Sequence, residues 1–244
     1  MGVFEKIINM VYPPSIYCIC CGSIIDNSRS YSICDNCIEK FTWIDEKTCA
    51  KCGKILEKDY WRNVCEDCLR VDHVFDKGYT CARYTLYERA VMMEYKYSDK
   101  SFLGRTIGDI LYDRMVIEEL DFDVIIPIPI HQNRMAKRGY NQAEIMAKQF
   151  YRRIGQGEFG DYLTRVKNTK PMKNLDSEER KLNVANSFQV KPGCNSKIKD
   201  RNVLLIDDIY TTGSTVDSAA LLLKETGANK IYVLTFAAGG NVIK

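Results

Sequence analysis

Residues able to do chemistry crowd into three places along this 244-residue chain. The densest is NVLLIDDIYTTGSTVD, from Asn202 to Asp217. Val203 to Ile206 read as a buried strand, Asp207 and Asp208 follow at once, and the loop Thr211-Thr212-Gly213-Ser214-Thr215 leads into a helical pattern from Val216 to Leu223. Small side chains let a ligand approach the backbone, and amides at a helix start favour an anion. The hydroxyls of Thr211, Thr212, Ser214 and Thr215 add donors, and the two carboxylates upstream can accept from sugar hydroxyls. A phosphate on one side and a diol on the other describe a ribose 5-phosphate. A plain Thr- or Ser-capped turn would need neither the acidic pair nor four hydroxyls.

The second place is the cysteine-rich start. Nine of the 11 cysteines precede residue 69. Two C-x-x-C pairs, Cys18/Cys21 and Cys34/Cys37, are followed by Cys49/Cys52 and Cys65/Cys68, and the second set repeats the first at an offset of 31 residues. Gly22 and Gly53 match, as do Ile25 and Leu56, Asp35 and Glu66, Ile38 and Leu69. This is an internal duplication of a zinc-ribbon-like unit. Two C-x-x-C turns complete a tetrahedral four-sulfur site, which is closed and therefore structural. Metal binding supplies folding energy that so small a unit lacks. Two ions, one per ribbon, is the simplest count, with ligands cross-paired between ribbons as the alternative. Cys20, Cys81 and Cys194 fall outside the repeat and read as ordinary thiols.

The third place is FDVIIPIPIHQNRMAKRGYNQAEIMAKQF. Phe122 to Ile126 read as a second buried strand, and Pro127 and Pro129 stiffen its exit and deny it regular pairing. That suits a loop, Pro127-Ile128-Pro129-Ile130-His131, whose amides are held open for a ligand. Arg134, Lys137 and Arg138 crowd positive charge beside it, with a solvated basic face as the competing account. Gly139 to Gln142 open a helix capped by Asn141, with Ile145, Met146 and Phe150 inward.

The elements that must position these residues follow from the pattern between them. Gly78 to Leu86 is β-rich. Tyr87–Tyr97 and Leu103–Ile117 have helical spacing, with Val91, Met92 and Tyr95 on one stripe and Leu103, Ile107, Ile110, Leu111 and Met115 on the other. Lys96 stands between them as a candidate ligand-facing base. Residues 155–176 are turn-rich around a short strand, YLTRV, and Ser177 caps a further helix. The basic run from 165 to 201 suits a loop closing over a polyphosphate. Alternating strands and helices predict an α/β fold, a mostly parallel sheet flanked by helices, with ligand loops at the carboxyl ends of its strands. The expected division is 1–75, an amphipathic N-terminal helix (MGVFEKIINMVY) plus the duplicated ribbon, and 76–244.

The formal net charge is +3, with an acidic excess before residue 76 and a basic one after it. The acidic balance of the ribbons does not favour nucleic-acid binding there. No stretch reaches the ~18 apolar residues of a membrane span. No secretory signal pattern opens the chain, so the expectation is a reducing cytoplasm.

The strand, the Asp-Asp pair and the T-T-G-S-T loop resemble the motif that type I phosphoribosyltransferases use for 5-phosphoribosyl-1-diphosphate (PRPP). Together with the duplicated cysteines, PIPI-x-x-x-R-x-x-x-RGYNQ, and Arg180 and Asn183 before Ser187-Phe188, the chain resembles the ComF family of late-competence proteins, linked to uptake of single-stranded DNA in natural transformation. The resemblance spans nearly the whole chain. It implies a type I phosphoribosyltransferase-like fold carrying a small N-terminal cysteine-rich zinc-ribbon domain. It also implies that Asp207 and Asp208 hold the ribose hydroxyls and serve catalysis, that Thr211 to Thr215 hold the 5-phosphate, and that Pro127 to His131 with Arg134 and Arg138 border the pyrophosphate. Magnesium would accompany PRPP, and single-stranded DNA and a competence helicase or other DNA-processing protein would be partners. Tyr210 and Met172 depart from the pattern, where relatives often carry a smaller aliphatic residue and Gln. No hood for a nucleobase is recognisable, so two functions stay open: a PRPP-binding protein that handles DNA, and an active phosphoribosyltransferase with an unidentified acceptor.

Overall fold

Each long strand of the main sheet sends alternate apolar side chains to two covered faces. In β6 (Val203–Tyr210), Leu204 and Ile206 enter one core while Val203 and Leu205 enter the other. In β7 (Ile231–Ala238), Leu234 and Phe236 part from Ile231 and Val233 in the same way. A period of two with both faces apolar is the signature of a parallel strand buried on both sides. The computed structural model describes residues 16–240 except 27, 45–46, 98–99, 119 and 168–186. The expected N-terminal helix, the helix capped by Ser177, and Pro171, Met172, Arg180 and Asn183 lie outside the described residues, as does the middle of the proposed closing loop.

Besides β6 and β7 the main sheet contains β1 (Lys77–Arg83), β2 (Val124–Pro127) and β3 (Glu158–Phe159). The order is β1-β7-β6-β2-β3 and every pairing is parallel. The other two strands, β4 (Leu163–Arg165) and β5 (Phe188–Val190), form a small antiparallel sheet. In the ribbons, α1 (Asp35–Ile38) and α2 (Glu66–Arg70) are single turns that follow Cys34 and Cys65. Next come α3 (Leu86–Tyr97), α4 (Leu103–Val116), α5 (Gln132–Arg138), α6 (Gln142–Ile154) and α7 (Ser214–Glu225). The expected stripes on α3 and α4 are buried. Among the described residues no helix is long and apolar enough to cross a membrane.

The two ribbons lie on opposite faces of this sheet. Cys18, Ile33, Cys37 and Phe41 share a core with α3, α4 and α6. Cys49, Cys52, Leu56, Tyr60 and Cys65 share the other core with α7. Phe41 is the first ribbon's anchor, stacked on Trp43 at 4.8 Å and set edge-on to Tyr87 at 5.0 Å. Its burial is worth roughly 2 kcal/mol. Both ribbons also cover the outer edge of β1. Ile44 N donates to Cys81 O at 3.0 Å, Arg83 N to Thr42 O at 2.8 Å, and Gly78 N to Lys51 O at 2.7 Å. Buried Glu88 accepts from the amides of Thr42 and Thr85, tying the first ribbon to α3.

Two local expectations are corrected. The strand ending at Ile206 in the sequence reading runs on to Tyr210, because parallel β7 stays paired with it to Ala238. Pro127 remains in the ladder opposite Ile206, because β3 pairs with β2 only at Val124 and Ile125, so no neighbour needs the N–H that proline lacks. Arg134, Lys137 and Arg138 stand on the short helix α5 beside the loop at 127–131. Gly139, at φ +77°, ends that helix.

The duplicated glycines have diverged in their surroundings. Gly22 and Gly53 both hold positive φ, +73° and +75°. A Cβ on Gly22 would meet nothing within 4 Å, whereas one on Gly53 would lie 2.6 Å from Gly78 O. Gly22→Ala should therefore cost only the left-handed penalty of about 1–2 kcal/mol. Gly53→Ala should lower the thermal midpoint distinctly further, because it also pushes the second ribbon off β1. Equal melting temperatures for the two variants would contradict this packing.

Candidate ligand cavity and metal centres

β2 stops at Pro127 opposite Ile206, while β6 continues for four residues beside β7 alone. That mismatch leaves a notch at the carboxyl end of the sheet, where open α/β sheets place ligands. A cavity of about 390 Å³ fills it. Asp207, Asp208, Thr211 and Thr215 line one side, and Ile128 to Ile130 with Arg134 and Arg138 line the other. The two segments, some 80 residues apart in sequence, thus face one another. Pro127, His131, Thr212, Gly213 and Ser214 are not on its wall but shape the loops that are. Thr212 and Ser214 pair through their hydroxyls at 2.9 Å, and Gly213 sits at φ +80° as the N-cap position of α7. His131 caps α5, its Nδ1 accepting from Asn133 N at 3.1 Å.

The proline-stiffened loop offers fewer amides than the sequence reading supposed. Pro127 and Pro129 have none, and Ile128 N donates to Ile206 O at 2.9 Å. The amides that remain begin at Ile130. Asn141 occupies the N-cap position of α6 but its side chain does not cap. Its Nδ2 instead donates to Ile128 O at 3.1 Å, bracing the loop from below.

Electrostatics set the acidic pair apart from ordinary surface carboxylates. Burial, and then the neighbouring charge of Asp208, push Asp207 from its ordinary 3.8 up to about 7. Asp208 accepts an ion pair from Lys96 Nζ at 2.5 Å. Burial opposes the charge on Lys96, but Asp208 outweighs it and holds the ammonium above the usual lysine value. Arg165, 7% exposed, joins the same wall from β4. Its guanidinium is lowered by burial first and then by Arg134. Lys96 has a signal in the sequence: it falls four residues after buried Met92, a cation on an apolar stripe. Tyr84 and Arg165 have none, since only the fold brings the ends of β1 and β4 to this cavity.

Each four-cysteine set gathers as one cluster, Cys18/Cys21/Cys34/Cys37 and Cys49/Cys52/Cys65/Cys68, with all Sγ atoms within 4.8 Å of one another. Tetrahedral zinc with Zn–S near 2.3 Å needs sulfurs about 3.8 Å apart. The Cys21–Cys34 and Cys52–Cys65 Sγ separations are both 3.7 Å. Amides support the sulfurs, Cys34 N donating to Cys18 Sγ and Cys65 N to Cys49 Sγ at 3.4 and 3.3 Å. Both clusters fit structural zinc, and the ligands pair within each ribbon.

A family model described as a double zinc ribbon domain matches residues 7–69, and one described as a phosphoribosyl transferase domain matches residues 135–241. The chain is 30% identical over 148 residues to "Competence protein F" of Haemophilus influenzae, covering 59% of this chain and 64% of that one. It is 36% identical over 104 residues to "Competence protein ComFC" of Bacillus subtilis, covering 43% and 39%. These matches therefore span less than two thirds of each relative's length. Among solved structures, the glutamine PRPP amidotransferase of B. subtilis is similar at 15% identity and a TM-score of 0.40, over 59% of this chain and 30% of that one. A double zinc ribbon joined to an α/β phosphoribosyltransferase domain is the class that the family models and the cysteine clusters define. The matches to competence protein F and ComFC, with both family models, fit the ComF family.

Metal analysis should return two zinc ions per chain, and Cys18→Ser and Cys49→Ser should each remove one; a single ion would refute the pairing within ribbons. A raised carboxylate makes the native state bind its proton more tightly than the unfolded chain does. Stability from Asp207 is thus full below its ordinary 3.8 and is lost as pH rises through about 7. Asp207→Asn should raise the melting temperature more at pH ~8 than at pH ~5. An equal gain at both would show that Asp207 carries no such proton.

Proposed function

We propose that this protein binds PRPP with magnesium in the notch at the end of β6, as a phosphoribosyltransferase-like domain spanning 76–244 behind a ribbon domain spanning 1–75. The observation that carries this reading is that both motif halves line one cavity. Asp207 and Asp208 accept from the ribose 2- and 3-hydroxyls. The 5-phosphate lies on the loop Thr211-Thr212-Gly213-Ser214-Thr215 and the first amides of α7, where the helix dipole favours an anion. Pro127 to His131, with Arg134 and Arg138, border the pyrophosphate. Lys96 and Arg165 add fixed positive charge. Asp207 and Asp208 would supply oxygen ligands to a magnesium ion, which would neutralise charge on the pyrophosphate. If transfer occurs, the anomeric C–O bond breaks, pyrophosphate carries away the electron pair, and an acceptor's lone pair attacks that carbon.

Two of the relatives that the chain matches are named as competence proteins. We extend that role to this chain: it handles single-stranded DNA in the cytoplasm during natural transformation, alongside a competence helicase or another DNA-processing protein. The basic faces of α5 and α6, with Tyr151 exposed on α6, suit a strand's phosphates and bases.

Calorimetric titration of magnesium-PRPP should give saturable binding in the wild type and at least a ~10-fold loss in Asp207→Ala/Asp208→Ala, a loss of roughly 1.4 kcal/mol or more. On the same samples, oligonucleotide binding should persist and fall steeply with salt. Absence of PRPP binding by the wild type would overturn the reading. Loss of both ligands together in the double variant would merge the two activities into one site.

A further inference from the structure

The second ribbon reaches the phosphate loop through one buried histidine. His73 lies on the strap that leaves the ribbon for β1, and its side chain is 0% exposed. Its Nδ1 is 2.6 Å from Asp217 Oδ2 in the first turn of α7. Its Nε2 is 3.2 Å from the hydroxyl of Tyr210, the last residue of β6. A carboxylate can only accept, so Nδ1 carries the proton to Asp217. In the neutral ring Nε2 then accepts from Tyr210. The strap's next amide, Val74 N, donates to the other Asp217 oxygen at 3.0 Å. Phe75 stacks beneath the His73 ring at 5.1 Å.

These groups bracket the loop at both ends. Tyr210 precedes it and Asp217 follows it, so the imidazole spans loop residues 211–213 and the first helical turn. They also form its floor. A Cβ on Gly213 would lie 2.5 Å from the Tyr210 hydroxyl and 2.8 Å from His73 Cε1. On the ribbon side, Lys54, 2% exposed, bonds Asp67 at 2.6 Å and sits over the Tyr210 ring at 5.5 Å. Asp67 lies between the metal-cluster residues Cys65 and Cys68.

We infer that His73 is a positioning residue for the phosphate loop, holding Tyr210 and Asp217 so that the loop's amides converge on the ligand's 5-phosphate, and that the second ribbon is the frame it is fastened to. This rests on the assignment of residues 211–215 to the 5-phosphate. It also gives Tyr210 a role: the large phenol in place of a small aliphatic residue supplies the hydroxyl that meets the imidazole. The first ribbon makes no such contact with the loop among the described residues.

The test measures two small ligands on wild type, His73→Leu, His73→Asn and Tyr210→Phe: ribose 5-phosphate, and magnesium pyrophosphate, which the loop at 127–131 takes. His73→Leu should weaken ribose 5-phosphate about tenfold while leaving magnesium pyrophosphate within about twofold, the scale of losing one or two buried hydrogen bonds. Asn imitates the Nδ1 donor, so His73→Asn should recover most of the loss, and Tyr210→Phe should show a smaller loss of the same selectivity. A merely structural role would lower the melting temperature with both affinities unchanged, or weaken both ligands alike, and either result overturns the inference. If His73→Leu does not fold, the Asn and Phe variants decide it by the same selectivity. A wild type that binds magnesium pyrophosphate but no ribose 5-phosphate would overturn the phosphate assignment, and the inference with it.

Discussion

A parallel sheet has to be covered on both faces and cannot leave a long edge open, and in this protein the two zinc ribbons meet both demands. β1 is an edge strand, and the main-chain bonds from Thr42, Ile44 and Lys51 run along it. One face of the sheet carries α3, α4 and α6 with the first ribbon at their margin; the other has α7 as its one long described helix, and the second ribbon fills the space beside it. A four-sulfur centre suits that task. It sets a rigid, compact shape in a segment too short to build its own core. The two copies of the duplicated unit therefore meet different neighbours, which is why Gly22 looks onto open space and Gly53 onto the backbone of Gly78.

The notch depends on the same sheet. Because β2 is short and β6 long, the carboxylates of Asp207 and Asp208 stand past the end of one neighbour while still paired to the other. Two adjacent carboxylates in a half-buried site repel, and the structure relieves this in two ways. Lys96 pairs with Asp208, and Asp207 is pushed toward keeping its proton near neutral pH. Such an arrangement is costly without a ligand and becomes less so when hydroxyl donors or a cation arrive. Arg134, Arg138 and Arg165 line the same cavity, so cations and carboxylates meet around one opening.

How much was legible depended on the length of chain over which each signal acts. The ribbon spacing, the α3 and α4 stripes, and the strand–acid–loop–helix order of 203–223 were readable because each is a local pattern with its own period. The end of β6 was misplaced by four residues because parallel pairing with β7, and not local propensity, extends it. The helix α5 was not foreseen, because it is short and its basic residues mask any apolar stripe. Asn141 was expected to cap, and the fold turned its amide to a carbonyl thirteen residues back.

The sequence alone determined the ligand types: eight thiolates at metal spacing, two carboxylates beside a hydroxyl-rich turn, and arginines after a proline-stiffened strand. Those are properties of residue identity and spacing, which no folding step alters. Tertiary structure alone decided which ribbon faces which side of the sheet, that Tyr84, Lys96 and Arg165 share a wall with Asp208, and that His73 lies between Tyr210 and Asp217. Each of these unites residues separated by tens of positions or more. Their proximity follows from sheet order and packing, for which a single chain's local pattern carries no code. The segment around Val203 to Thr215 thus showed its residue types and element order on its own, while its setting was supplied by residues that only folding brings to it.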